Sequence, residues 1–586
     1  MSMNKNIARL AVTAGLTAAL SFGGVMAPVA MAFADDATTT TNSITINKKA
    51  ENGDVTYKAY QIFEADVVDP TGEGATDKIV SNVKWAFDDS ATQNAIINAI
   101  KEDSTYKTSN PKPSIVTAQD VADWLTKNVT GTTAGTVVNK DHLLNKIAAI
   151  VKKDVEATCN SFSAGDSFTV PNDDKNSPKT GYYLFLTDES SLGTSEAAKK
   201  NTGTSPIFAV VGGKAVTVVE KTGIPTVTKK VKDDKPDSGW KDKADSQMGQ
   251  DVHYQLTGTV ADNIATFDSY YYEFHDKLSA GLTANADSVH VTVYADDSDT
   301  QGTEIKLPAD AVSYNKDGIN TLLTVKFNNL KAVTAKVTDA PVEITASSKV
   351  VVTYTASLDP SKAVTVGGEG NPNSVKLIYS NNPMGDGKGE SVSDTVRDYT
   401  YALRLVKEDA ANDATKLDGV KFTIQATNPD DNAEGAPAGT KYVQENGTLS
   451  ENKYEFETKN DGVIEVKGLD AGTYTVKETH TLDGYNTLPD FTFRIWTADG
   501  DLAKPEGEGN NNLTVNVTKD ASSLVKDATV TDGVVNLTVQ NKKGSGLPLT
   551  GLNGVTFTWI AGGAVLCIGV AHLIRSRKQA EESEQE

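Results

Sequence analysis

Apolar and polar residues alternate strictly near the start, at Ile44-Thr45-Ile46 and again from Val55 to Phe63. Such alternation puts every second side chain on one face and predicts half-buried strands. The rhythm then lengthens to three or four residues, which predicts helices over roughly 91–102, from Thr117 onward, and over 140–155. Asp120 stands at the capping-box position relative to Thr117. In the third helix Leu143, Leu144, Ile147, Ile150 and Val151 share one face. Strand rhythm returns at 181–186, 207–211 and 215–219. From 222 to 546 nearly everything is a short alternating run closed by a Gly, Asp or Asn turn, the spacing of β-sandwiches.

The fold class expected is mainly β: tandem Ig-like β-sandwich domains behind a mixed N-terminal domain with helical insertions. The expected divisions are 35–221, 222–395 and 396–546. The turn-rich stretch Asn381-Asn382-Pro383-Met384-Gly385-Asp386-Gly387 marks the second boundary. A chain of 586 residues is too long for one core and suits such a division.

Both ends depart from this pattern. Lys5 and Arg9 precede an apolar stretch from Leu10 to Val29, and Ala32-Phe33-Ala34 forms a small-x-small cleavage site before Asp35. Residues 1–34 therefore read as a secretory signal peptide. Val555 to Ile574 carries no formal charge and is long enough to span a bilayer, and Arg575, Arg577 and Lys578 follow it. Between the signal and the span stand 56 basic and 78 acidic residues less those few at the ends; the whole chain has a formal net charge of −22. That balance argues against a nucleic-acid binder. Only Cys159 and Cys567 could pair, so no disulfide scaffold is expected, and the six scattered histidines suggest no metal site and no cofactor. Cys159 with His142 is the one nucleophile–base pair close in sequence, and it reads as packing rather than catalysis. The run Asp296-Asp297-Ser298-Asp299 reads as a solvated turn.

Immediately before the span lies Leu547-Pro548-Leu549-Thr550-Gly551. Pentapeptide, apolar span and basic tail together resemble the LPxTG cell-wall sorting signal of Gram-positive surface proteins. The resemblance implies cleavage by a sortase between Thr550 and Gly551, transfer of the Thr550 acyl group to an amine, and only transient residence in the membrane through 555–574.

Three apolar strand faces in the last domain run into a polar residue of particular type. Tyr401, Leu403 and Leu405 lead to Lys407; Tyr474 and Val476 lead to Glu478; Val535, Leu537 and Val539 lead to Asn541. A buried lysine is costly unless neutral or paired. Lys407-Glu408-Asp409 with Leu417-Asp418-Gly419-Val420-Lys421-Phe422 resembles the opening of a CnaB-type domain. Tyr474-Thr475-Val476-Lys477-Glu478-Thr479 resembles its E-box, and Asn541 its closing strand. The similarity implies a self-formed isopeptide bond from Lys407 to Asn541, with Glu478 as the proton-handling acid. The middle domain repeats the grammar: Lys229 shares a face with Val227 and Val231, Asp276 with Tyr272 and Phe274, and Asn373 with Val375, Leu377 and Tyr379. Its closing segment resembles that of CnaA-like pilin domains, which implies Lys229–Asn373 with Asp276 as the acid. One bulge in the first strand would exchange Lys229 for Lys230. Lys48 and Lys49 have no evident closing Asn, and no bond is expected in the N-terminal domain.

Val216-Thr217-Val218-Val219-Glu220-Lys221 is similar to the pilin motif of sortase-assembled major pilins, VxVYPK, with Val219 and Glu220 in place of Tyr and Pro. That similarity implies that Thr550 of one subunit is joined to Lys221 of the next, an accessible amine at a domain junction. The function implied is a structural, non-enzymatic backbone subunit of a covalent, wall-anchored surface pilus that supports adhesion. Its implied partners are identical subunits, minor pilins, pilin-specific and housekeeping sortases, peptidoglycan, and a host receptor or glycan that the sequence does not identify. The alternative is a monomeric wall-anchored adhesin, which needs the sorting signal but not Lys221.

Overall fold

A computed structural model of the chain describes residues 41–69, 78–129, 139–192, 201–234, 239–427, 441–497, 502, 513–526 and 528–544. The signal peptide, the motif Leu547–Gly551 with Thr550, and the span 555–574 lie outside the described residues.

The first part of the chain is layered around a strand that is apolar on both faces. Gly181–Thr187 is buried throughout, because Tyr182, Leu184 and Leu186 face a helical layer while Tyr183 and Phe185 face a small second sheet. The helices are Ser90–Glu102, Ser104–Thr108, Ala118–Asn128 and Leu143–Asp154. Thr117 and Asp120 form the capping box anticipated from their spacing. The last helix starts three residues later than its apolar rhythm suggests, because the His142 ring accepts a hydrogen bond from the Leu144 N–H and acts as N-cap. The second sheet contains Ser43–Asn47 between Ser167–Thr169 and Val216–Val219, the last pair running parallel.

Two facing sheets follow. One carries Val227–Lys232, Val252–Thr259, Lys349–Leu358 and Leu282–Tyr294 in that spatial order; the other carries Asp394–Tyr399, Asn371–Ser380, Tyr272–Leu278 and Asn320–Phe327. Inward residues alternate with outward ones along Val252–Thr259 and Asn371–Ser380, and a single apolar core lies between the sheets. A second sandwich spans Tyr401 to Asn541, with its own core. Its first and last strands, Tyr401–Asp409 and Val534–Asn541, are parallel neighbours, with Lys407 opposite Val539 and Asp409 opposite Asn541. The chain is thus mainly β, with its α-helices confined, among the described residues, to the N-terminal region.

Two sequence expectations about boundaries need correction. The turn Asn381–Gly387 does not separate the second and third units. It packs against the N-terminal region: Gly203 N–H donates to Asn381 O at 2.6 Å, and Asn381 Nδ2 donates to Asn201 O at 2.9 Å. Lys152 from the last helix reaches Met384 O and pairs with Glu189 at 2.6 Å. The chain then returns to the middle sheet, where Asp394–Tyr399 pairs with Asn371–Ser380 and Lys243–Asp245. The seam therefore falls at Thr400 rather than at 395. Gln247 bridges that seam, donating to Gly447 O at 2.5 Å and Gly468 O at 2.7 Å.

Candidate functional site

In the last sandwich, the parallel register brings Asn541 two residues beyond the position opposite Lys407, on the same inward face. Glu478 arrives from the facing sheet, near the end of Gly472–His480. Lys407 is 0% exposed, Asn541 1% and Glu478 4%. Lys407 Nζ lies 2.5 Å from Asn541 Oδ1 and 2.9 Å from Glu478 Oε2. The other carboxylate oxygen, Glu478 Oε1, accepts from Asn541 Nδ2 at 2.9 Å. The carboxylate thus touches both the amine and the amide nitrogen. Thr481 Oγ1 accepts the second amide hydrogen at 2.7 Å, and the Phe422 ring covers the amine at 5.3 Å. Burial pulls the Lys407 ammonium down from 10.5 to about 8, against the attraction of Glu478.

The middle sandwich assembles the same residue types differently. Lys229 and Tyr354 point inward from one sheet, Asp276 and Asn373 from the other. All but Tyr354 are 0% exposed, and Tyr354 is 2% exposed. Lys229 Nζ donates to Asp276 Oδ1 at 2.5 Å and to Tyr354 OH at 3.1 Å. Tyr354 OH donates to Asp276 Oδ2 at 2.6 Å and accepts from Asn373 Nδ2 at 2.7 Å. Tyr254 stacks on Tyr354 with ring centroids 5.3 Å apart, and both rings lie 5.4 Å from the lysine amine. Burial pulls Lys229 down to about 8 as well. Lys230 points the other way and pairs with Asp242 at 2.5 Å. No bulge interrupts Val227–Lys232 against Val252–Thr259, so Lys229 holds the inward position.

Lys221 sits where the N-terminal region meets the middle sandwich. Its N–H donates to Thr204 Oγ1 at 2.8 Å, and its carbonyl accepts from Ser205 N–H at 2.8 Å and from Asn263 Nδ2 at 3.2 Å. The side chain is half-buried rather than fully accessible, and burial lowers its ammonium to about 8. The preceding Glu220 is buried: Tyr57 OH donates to it at 2.5 Å, Lys49 N–H at 2.7 Å and Asn52 Nδ2 at 3.0 Å. Lys48 pairs with exposed Asp54 at 2.9 Å, and Lys49 reaches Thr222 O at 2.9 Å and Asp262.

Sequence reasoning missed Tyr354, Thr481 and Glu220. Tyr354 alternates inward with Val350 and Val352 and carries no local mark of chemistry. The other sequence candidates look inert: burial pushes the Cys159 thiol up and the His142 ring serves as a helix cap, while Asp296 and Asp299 accept backbone hydrogen bonds within one exposed turn.

The model of the SpaA prealbumin-like fold domain family matches residues 402–510. No curated protein sequence matches the chain. Among solved structures, the T6 backbone pilin of serotype M6 Streptococcus pyogenes is similar over 87% of this chain and 100% of its own, at 16% identity and a TM-score of 0.47. The full-length major pilin SpaD from Corynebacterium diphtheriae is similar over 86% of this chain and 98% of its own, at 16% identity and a TM-score of 0.42. The group B streptococcus pilus 2b backbone protein covers 55% of this chain and 99% of its own, at 20% identity and a TM-score of 0.35.

Proposed function

We propose that this chain is the repeating backbone subunit of a covalent surface pilus, hardened from within by two Lys–Asn isopeptide bonds. The observation that carries the reading is the triangle of Lys407, Glu478 and Asn541, in which one carboxylate bridges the attacking amine and the departing amide nitrogen. Glu478 takes a proton from the Lys407 ammonium. The free amine attacks Asn541 Cγ, and the second nitrogen proton passes through the carboxylate to Nδ2. The Cγ–Nδ2 bond breaks, ammonia leaves, and Nζ keeps one hydrogen as an amide. Lys229 and Asn373 undergo the same exchange around Asp276.

Between subunits, a sortase carries the Thr550 acyl group and delivers it to Lys221 of the next chain. The linkage is head-to-tail and does not close, so it makes a fibre. Minor pilins and peptidoglycan are the other ends of that fibre, and its place is the cell surface. In wall extracts boiled in detergent, the protein should run as a ladder whose rungs differ by one chain. A single band at monomer mass would favour the wall-anchored adhesin instead.

A further inference from the structure

The two sandwiches bridge amine and amide with acids of different length. Glu478 touches Lys407 Nζ with one oxygen and Asn541 Nδ2 with the other. Asp276 is one methylene shorter. Its Oδ1 reaches Lys229 Nζ, but its Oδ2 meets Tyr354 OH at 2.6 Å, and the hydroxyl in turn meets Asn373 Nδ2 at 2.7 Å. A phenol has one hydrogen to donate and two lone pairs to accept with. Here all three are used: one donated to Asp276, two accepting from Lys229 and Asn373.

We infer that Tyr354 is a catalytic residue of the middle cross-link, exchanging protons between the Lys229 amine and the Asn373 amide nitrogen. The inference rests on the proposed Lys229–Asn373 bond. Asp276 first removes one proton from the ammonium through Oδ1. The amine then attacks Asn373 Cγ, leaving a positive nitrogen and an oxyanion. Tyr354 gives its own hydrogen to Nδ2 and takes one from Nζ, so the phenol ends as it began. The carbonyl re-forms as the Cγ–Nδ2 bond breaks, ammonia departs, and Nζ retains one hydrogen. No step leaves a phenolate in the core, where burial makes that ion costly. The last sandwich needs no such residue, because its longer acid spans the gap directly.

The test is Tyr354→Phe in the full-length chain, with Tyr254→Phe as its matched control. Tyr254 is as deeply buried, stacks on the same ring, and its hydroxyl has no hydrogen-bond partner among the described residues. Losing a proton-transfer group typically slows a reaction about 10²–10⁴-fold. Freshly made Tyr354→Phe chain should therefore lack the Lys229–Asn373 cross-linked peptide and gain it only slowly on incubation, while the Lys407–Asn541 peptide is present at once. Tyr254→Phe should carry both. Tyr354→4-aminophenylalanine, which restores a proton-carrying group on the same ring, should recover the middle bond. Prompt bond formation in Tyr354→Phe, loss of it equally in Tyr254→Phe, or no recovery with the amino analogue would each overturn the role. A wild-type chain without the middle bond would instead sink the underlying reading, independently of Tyr354.

Discussion

A chain carrying Glu478→Ala should keep the full mass of its last sandwich and melt about 10–20 °C lower there than the wild type. Two losses combine. The proposed Lys407–Asn541 bond would span 134 residues, and by analogy with a disulfide, closing such a loop removes about 5 kcal/mol of unfolded-state entropy. For a unit of this size each kcal/mol shifts melting by about 2–4 °C. The variant also strands Lys407 in the core without its counter-charge, which alone destabilises. The pH dependence separates the terms. An unbonded Lys407 has its ammonium held at about 8 rather than 10.5, with burial as the main cause and Glu478 opposing it. Removing Glu478 removes that opposition. Between those values the unfolded chain binds a proton that the folded chain does not, so the variant's stability should climb with pH across that window. The wild type, with no amine left at Lys407, should show no such climb from this site. Scanning calorimetry with mass analysis checks both; a variant of wild-type stability that has lost ammonia would remove Glu478 from the chemistry.

Lys221→Arg should abolish the high-mass ladder altogether while monomer is still made and anchored. Arginine retains charge and length but offers no neutral amine near physiological pH. Lys221 is better prepared than a free surface lysine, since half-burial at the junction lowers its ammonium to about 8. Its backbone is held by Thr204, Ser205 and Asn263. The proposed internal bonds should survive this substitution, because the hydrogen bonds that define the two sandwich sites join other residues. A ladder that persists in Lys221→Arg would move the acceptor to another lysine.

The placement of the proposed middle bond would have a mechanical consequence. In the last sandwich the proposed link would join the first strand to the last, so force entering at Tyr401 and leaving beyond Asn541 would bypass most of the hydrogen-bond ladder. In the middle sandwich the chain continues past Asn373 into Lys388–Glu390 and Asp394–Tyr399 before it exits. Those strands would carry load outside the covalent shortcut, with Asp394–Tyr399 gripped by ladder bonds to Asn371–Ser380.

Alternation along single strands made much of this legible in advance. Period-two burial on Val227–Lys232 separates Lys229 from Lys230, and the same rule aligns Asp276, Asn373, Lys407, Glu478 and Asn541. Helix caps at Thr117 and His142 are local events, but only the first has a spacing that announces it. What escaped were features set by distant partners. The turn Asn381–Gly387 has the composition of a linker, yet it is held by Asn201, Gly203 and Lys152 across the fold. Tyr354 looks like one more core aromatic until the facing sheet brings Asp276 and Asn373 to its hydroxyl. Glu220 resembles a surface residue until Tyr57, Lys49 and Asn52 close over it.

The most direct measurement is the intact mass of the mature chain released by its own host, followed by sequencing of the cross-linked peptides. Two bonds predict a deficit of two ammonia molecules, about 34 Da by the stoichiometry of the amide exchange, located at Lys229–Asn373 and Lys407–Asn541. A chain at its full calculated mass, with all four side chains recovered unmodified, would contradict the account.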